Sequence, residues 1–324
     1  MTDVRAAIRV PISPTPNYLN RSVLLMHSLH ATDPEASRHS IDLFVSPDTS
    51  PAPERWRDAV ADFGLHWHDV EPASFASFGY AAASLARVRT PTDADVVLKA
   101  DADMVVIGPV GELIERSHTT QTVLGVTAYR SPFNATTFPY AADHSPRECW
   151  SELFARMGLA APSFVGRHPA GFENGWDTAT TSCPAYFNYG VVAMPAPAAA
   201  QIGAILADEQ ARVDKVFSGA HYAQVALTVA MYRLGLRAEE LPLRFNFPNQ
   251  PRYVEPYPQD ASDIRILHYM SRDMFDKEAD LDDLASIEGW LAAGHDRDPL
   301  HARLAEALAA ALPVLRTCPW NETS

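Results

Sequence analysis

Val96-Val97-Leu98-Lys99-Ala100-Asp101-Ala102-Asp103-Met104-Val105-Val106 is the stretch on which the fold turns. Residues 95–100 read as the clearest buried strand of the chain. The strand then releases two carboxylates at i and i+2, which point the same way on an extended backbone. Two adjacent carboxylates repel each other and need a cation, a proton or a basic partner. A hard divalent cation meets that need, since it prefers oxygen ligands. A solvated turn, with the aspartates capping the next element, is the plainer alternative. The position of the pair, where a buried strand emerges between apolar residues, favours the cation.

Upstream of this stretch, strand-like and helix-like segments alternate. Residues 5–13 read as a strand running into a loop. Residues 17–31 read as a helix, with Leu19, Val23 and Met26 on one face. A strand at 41–45 stops at Ser46-Pro47-Asp48, a helix follows at 53–63, and a short strand at 65–70. Residues 78–89 read as a helix that ends before Pro91. This order predicts an α/β fold with a mostly parallel central sheet flanked by helices. Ligands of such sheets bind beyond the carboxyl ends of the strands, which is where Asp101 and Asp103 stand.

Downstream, residues 130–183 are rich in Pro, Phe, Gly and Trp and poor in periodicity. Regular structure returns at 186–194, then as helices near 198–216 and 219–234, and as a strand at 264–269. We expect one catalytic domain over 1–275, with 130–183 as a variable insertion, and a helical tail over 276–324. In the tail, Leu281, Leu284, Ile287 and Leu291 recur at helical spacing. A helix packed on the core and a homodimer through these helices read the same way.

Composition narrows the partners. The chain has 324 residues, 47% of them hydrophobic, enough for a large α/β core. Its formal net charge of −14 repels polyanions, so nucleic acid is excluded as a partner. A nucleoside diphosphate would be repelled too, unless a cation or a local basic cluster intervened. No apolar run reaches the roughly 18 residues of a membrane span, so no integral membrane segment is expected. The first residues lack the pattern of a secretory signal. Cys149, Cys183 and Cys318 are odd in number, widely spaced and without a CxxC. They argue against a disulfide framework and for a reducing, cytoplasmic location. The N-x-T sequons at Asn134 and Asn321 are read as chance.

Four segments resemble nucleotide-sugar glycosyltransferases of the GT-A fold, particularly family 8, which includes glycogenin and bacterial lipooligosaccharide galactosyltransferases. The first runs from Arg87 through Val96–Asp103 and is similar to the family's DxD motif. The second is Phe187-Asn188-Tyr189-Gly190-Val191-Val192. The third is Gln224-Val225-Ala226-Leu227 with Leu241-Pro242 and Phe245-Asn246, and the fourth is Ile266-Leu267-His268-Tyr269. Together they cover about residues 5 to 270.

The resemblance implies a retaining, metal-dependent hexosyltransferase that uses a nucleotide-sugar donor, with UDP as the expected nucleotide. Asp101 and Asp103 would hold Mn²⁺ or Mg²⁺, with Ala102 between them at the donor and His268 as third ligand. An imidazole ligand tilts the choice toward manganese. Arg87 would lie near the diphosphate or the donor sugar, and Asn188 would contact the sugar. Gly190 would allow close backbone approach, and Gln224 would face the reactive side of the sugar. Ile12, Ser13, Asn17 and Tyr18 would hold the base and ribose.

Each role has a structural alternative. His268 reads otherwise as a strand-end histidine, Asn188 and Gly190 as a bulge, and Gln224 as a buried structural amide. Arg87 would otherwise pair with Asp93 or Asp95, and Tyr18 would belong to the core.

The sequence also departs from the family. Lys99 and Ala100 replace the Tyr-Leu ahead of DxD; Lys99 would bind phosphate or project elsewhere. Ala223 and Val225 replace acidic neighbours of the glutamine. The G-x-x-K-P-W after the histidine is absent, and Arg272 is the candidate for its lysine. An inverting enzyme would need a base, for which Glu173, Asp177 and His168 are candidates. The insertion over 130–183 is expected on the acceptor side, with contacts from Phe133, Phe138, Tyr140, Phe164, Phe172 and Trp176, which would otherwise pack a lid over the sheet.

Two rivals remain. A sugar nucleotidyltransferase would need a glycine-rich, basic loop after the first strand, and Pro11-Ile12-Ser13-Pro14-Thr15-Pro16 has neither. A non-catalytic nucleotide-sugar-binding descendant would share the other motifs.

Overall fold

A computed structural model describes residues 3–47, 52–79, 81–271, 275–294 and 298–321. In chain order the strands are β1 (Ala6–Ile12), β2 (Ser40–Val45), β3 (Leu65–Asp69), β4 (Val96–Ala100), β5 (Met104–Val106), β6 (Val123–Thr127), β7 (Gly166–Arg167), β8 (Ser182–Cys183), β9 (Phe187–Pro195), β10 (Ala238–Glu240), β11 (Phe247–Pro248) and β12 (Ile266–His268). The helices are α1 (Pro16–Thr32), α2 (Glu54–Asp62), α3 (Pro72–Phe78), α4 (Ala81–Arg89), α5 (Gly111–Thr120), α6 (Pro146–Arg156), α7 (Thr178–Thr181), α8 (Ala196–Val213), α9 (Tyr222–Arg233), α10 (Pro258–Ser262), α11 (Leu284–Ala292) and α12 (Pro299–Leu315).

The central sheet has seven strands in the order β10-β6-β9-β4-β1-β2-β3. β4 is buried along its whole length, as a central strand covered on both faces requires. It pairs in parallel with β1, Ala6 opposite Val96 and Arg9 opposite Lys99. β1 in turn pairs in parallel with β2, and β2 with β3. β9 runs antiparallel between β4 and β6 and closes the other half. Chain order therefore reverses between β1 and β4. The carboxyl ends of those two strands bound the crevice where such sheets take ligands.

A small second sheet, β11-β12-β5, stands beside that crevice. β5 resumes directly after the two aspartates and pairs antiparallel with β12, which sets His268 opposite Met104. This pairing brings a histidine 165 residues away in sequence next to Asp103.

Several local expectations change. The helix expected over 78–89 is broken: α3 ends at Gly79, whose φ of +54° suits glycine, and α4 starts at Ala81. The stretch 130–183 contains α6, with a full capping box between Ser145 and Glu148. The tail splits into α11 and α12. Its apolar stripe (Leu300, Leu304, Leu308, Ala311 and Leu315) is buried within this chain, against a core that includes α1. Among the described residues no helix is long and apolar enough to cross a membrane.

Candidate functional site

The end of β4 is held by Arg87, from α4. Its guanidinium is buried; it donates to the Ala100 carbonyl at 3.0 Å and to Ser84 Oγ at 3.2 Å, and lies 3.6 Å from Asp101. Arg87 therefore shapes the aspartate loop from behind. Its partner is Asp101; Asp93 and Asp95 bond Arg5 instead. Lys99 is also turned away from the crevice. It is fully buried, with its ammonium 3.4 Å from the centre of the Tyr189 ring and no hydrogen-bond partner among the described residues. Burial pushes its pKa well below the usual value, and Arg87 adds to that against the opposing pull of Asp101. The placement of Lys99 thus gives no support to a phosphate contact.

Asp101, Asp103 and His268 each present a ligand atom, and these atoms lie within 4.8 Å of one another. His268 Nδ1 lies 2.9 Å from Asn246 Oδ1. Asn246 Nδ2 donates to Asn188 Oδ1 at 3.0 Å, as does the Gly190 N–H at 2.8 Å. Because Asn188 Oδ1 takes two donors, the Asn246 amide is oriented with its oxygen toward the histidine. Nδ1 must then carry the proton, and a neutral ring leaves its Nε2 lone pair facing Asp103 Oδ1 at 3.2 Å. Two acceptors facing each other need a cation or a proton between them. A metal-binding imidazole commonly gives its other N–H to such a fixed oxygen, so the donor set fits a divalent ion.

The structure supplies its own positive charge at this place. Lys277 places its ammonium on Asp103 Oδ2. Burial alone would raise the Asp103 carboxyl pKa, but His268, when its Nε2 is protonated, and the Lys277 ammonium outweigh it and hold the carboxyl well below its usual range. Lys277 is held through its backbone: Asn17 Nδ2 donates to the carbonyls of Lys277 and Glu278 at 2.6 and 3.1 Å, and Arg21 donates to the Lys277 carbonyl at 3.0 Å. Asn17, expected at the base or ribose, instead anchors this segment. Arg272 lies outside the described residues.

Beside the triad is a cleft of about 290 Å³, lined by Ile12, Ser13, Tyr18, Arg21, Asp101, Ala102, Asp103, Lys277 and Glu278, among others. Arg21 lies over the Tyr18 ring at 4.5 Å and pairs with Glu278 at 3.0 Å. A second cavity of about 230 Å³ is lined by Asn188, Gln224, Tyr129, Tyr186, Arg130 and Arg252, among others. Gln224 Oε1 accepts from the Tyr186 hydroxyl at 2.9 Å. Of the expected site residues, Ile12, Ser13, Tyr18 and Asp101–Asp103 line the first cleft and Asn188 and Gln224 the second, the two being linked by the Asn188–Asn246–His268 network, while Arg87, Lys99, Asn17 and Gly190 line neither.

Of the candidate bases, His168 is buried, with its Nδ1 2.7 Å from the Ala128 carbonyl. Burial lowers its pKa to about 4. Asp177 caps α7. Glu173 binds Arg130 and Arg252. Of the expected acceptor aromatics, Phe138 is fully buried, and Phe133, Tyr140 and Phe164 pack against the same core. The structural alternative holds for these four. Phe172 packs against the other core, and Trp176 lines a separate cleft with Tyr257.

Sequence reasoning missed Arg21, Lys277 and the orienting role of Asn246. One signal pointed to Lys277: it is one of only three lysines in a chain whose cations are nearly all arginine.

No protein-family model matches the chain, and no curated protein matches it in sequence. Solved structures do. The galactosyltransferase LgtC, in complex with donor and acceptor sugar analogues, superposes with a TM-score of 0.56 at 16% identity, covering 97% of each chain. An active-site mutant of LgtC gives 0.51 at 16% identity, covering 83% of this chain and 91% of that one. The fold is GT-A. In this chain the point where strand order reverses, between β1 and β4, opens on the cleft lined by Ile12, Ser13 and Asp101–Asp103.

Proposed function

We propose that this protein is a metal-dependent glycosyltransferase that moves a hexose from a nucleoside diphosphate sugar, UDP being the expected nucleotide, to a hydroxyl acceptor. The observation that carries the reading is the convergence of Asp101, Asp103 and His268 at the switch-point cleft of a GT-A sheet. A divalent ion there, with manganese favoured by the imidazole, would offset the diphosphate's charge and that developing on the leaving group.

This chain's own groups do the rest. Ile12, Ser13 and Tyr18 line the part of the cleft that suits a base and ribose. Lys277 and Arg21 are the cations at its diphosphate end, and Lys277 takes the part for which the sequence offered Arg272. Asn246 fixes the His268 ring, and Arg87 fixes the loop that carries Asp101. Asn188 and Gln224 line the chamber proposed for the transferred sugar and the acceptor. Retention of configuration is carried over from the family resemblance. The unpaired cysteines (Cys149, Cys183, Cys318) agree with a reducing cytoplasm.

Asp103→Asn tests the reading, because it keeps the side-chain shape and removes the charge. We expect Mn²⁺-dependent thermal stabilisation by a UDP-sugar in the wild type and its loss in the variant, with the far-UV spectrum unchanged. A variant that still binds and slowly hydrolyses the donor with Mn²⁺ would sink the assignment.

A further inference from the structure

The second cavity is charged oppositely to the chain that surrounds it. The molecule carries 40 acidic against 26 basic residues. Yet this cavity is lined by Arg130, Arg252 and His221, and among the described residues by no carboxylate. The nearest acid on these arginines is Glu173, bonded to both. Arg130 Nη2 donates to its two oxygens at 2.9 and 2.8 Å, and Arg252 Nη1 lies 2.8 Å from Oε1. One carboxylate shared by two guanidiniums leaves a positive charge over.

Arg252 is fixed further by Gln250, whose Oε1 accepts from Nε and Nη2 at 2.9 and 2.6 Å. The two guanidiniums are thus held in place yet remain about half exposed, at 59% and 47% of their side chains. Arg130 gives one nitrogen to Glu173. A guanidinium has five N–H donors in a planar fork that matches an oxyanion.

The place of this pair decides its use. Asn188 and Gln224 line the same cavity, and Asn188 is one hydrogen bond from Asn246, which orients His268. The diphosphate end, with Lys277 and Arg21, belongs to the other cleft.

We propose that the second cavity receives the acceptor, and that the acceptor carries an oxyanion (a phosphate or a carboxylate) bound by Arg130 and Arg252. The proposal rests on the glycosyltransferase reading. Glu173 positions the two arginines and does not touch the reacting atoms. In a protein of this net charge, an uncharged acceptor would need no such pair, and an anionic one would be repelled without it.

The test is saturation-transfer NMR on the whole protein with glucose, glucose 6-phosphate and glucuronic acid, both with and without saturating UDP and Mn²⁺. The expected result is that at least one anionic sugar binds about tenfold or more tightly than glucose. The stronger of the two identifies phosphate or carboxylate as the group read. Arg130→Gln/Arg252→Gln should abolish the preference and leave UDP–Mn²⁺ affinity by calorimetry unchanged. Glucose binding as well as both anions, no sugar binding at all, or a preference that survives in the variant would overturn the proposal. So would loss of UDP affinity in the variant, which would move the arginines to the donor. If no nucleotide binds while the anionic preference is present, the transferase reading fails and the oxyanion site stands.

Discussion

Gly190→Ala is the sharpest probe of the triad, because it touches the metal ligands only through their support. Gly190 does not have a positive φ, so the substitution carries no backbone penalty of that kind and acts by volume. A Cβ built there lies 2.8 Å from Asn188 Oδ1 and 3.0 Å from both Cε1 and Nδ1 of His268. Ordinary contact needs about 3.4 Å or more, so Asn188 and the imidazole must each give by several tenths of an ångström. Neither is free to do so. Asn188 Oδ1 holds the Gly190 N–H and Asn246 Nδ2, and Asn246 Oδ1 holds His268 Nδ1 at 2.9 Å. Overpacking of this kind costs about 1–3 kcal/mol, and a weakened buried hydrogen bond about 1 kcal/mol more. Disturbing the partner that orients a metal-binding histidine lowers affinity about 10- to 100-fold. Mn²⁺ titration by calorimetry or electron paramagnetic resonance should show that loss, and denaturant unfolding should show the stability cost. A variant with Mn²⁺ affinity within about twofold of wild type would refute the geometry argued for His268.

Other substitutions separate the remaining roles. Lys277→Ala removes the ammonium from Asp103; Mn²⁺ alone should bind more tightly, while UDP affinity in the presence of Mn²⁺ should fall about tenfold, both read by calorimetry. Lys99→Met replaces a buried ammonium that has the Tyr189 ring beside it but no hydrogen-bond partner among the described residues; stability should rise by about 1–3 kcal/mol with UDP affinity unchanged, and a large loss of UDP affinity would return Lys99 to the phosphate. His168 has its pKa lowered to about 4 by burial, so the unfolded chain binds the proton more readily. Its contribution is complete above about pH 6.5 and is lost as pH falls toward 4, by about 3 kcal/mol in all. Denaturant titrations at pH 7 and pH 4.5 should show a smaller acid loss in His168→Gln than in the wild type.

The parallel half of the sheet was legible because each of its elements obeys a local rule. β1, β2 and β4 are apolar runs of strand length, separated by segments with helical spacing, and the two carboxylates stand at the end of the most apolar of them. The antiparallel return of β9 and its insertion between β4 and β6 were not legible. Strand direction is set by long-range packing, and an apolar run looks the same whichever way it runs. α6 was legible and missed: Ser145-Pro146-Arg147-Glu148 is a capping box with proline at the first turn. The proline and aromatic content around it hid the signal. Phe133, Phe138 and Trp150 form one aromatic cluster, so the richness that suggested a binding face belongs largely to a core.

The site divided along the same line. Asp101, Asp103 and His268 were legible as a group because motifs carry them, and β5–β12 pairing brings them together. Arg87 and Lys99 were placed near the donor because sequence gives proximity along the chain but not direction. Two residues before the first aspartate, the strand still alternates, and Lys99 falls on the face that packs on Tyr189. Asn17 shows the reverse case. It lies one residue from Tyr18, which does line the cleft, yet its amide turns to the backbone at 277–278. Through that bond the first helix sets the position of Lys277, a cation supplied from beyond the last strand of the sheet. The cleft is thus closed by residues about 260 positions apart, and the charge balance at Asp103 depends on the segment that the sequence reading set aside as a tail. Removing the backbone anchor with Asn17→Ala should therefore weaken UDP binding through Lys277, and Asn17→Ala combined with Lys277→Ala should be no weaker than Lys277→Ala alone. Calorimetric affinities that simply add would show that Asn17 acts on the nucleotide directly.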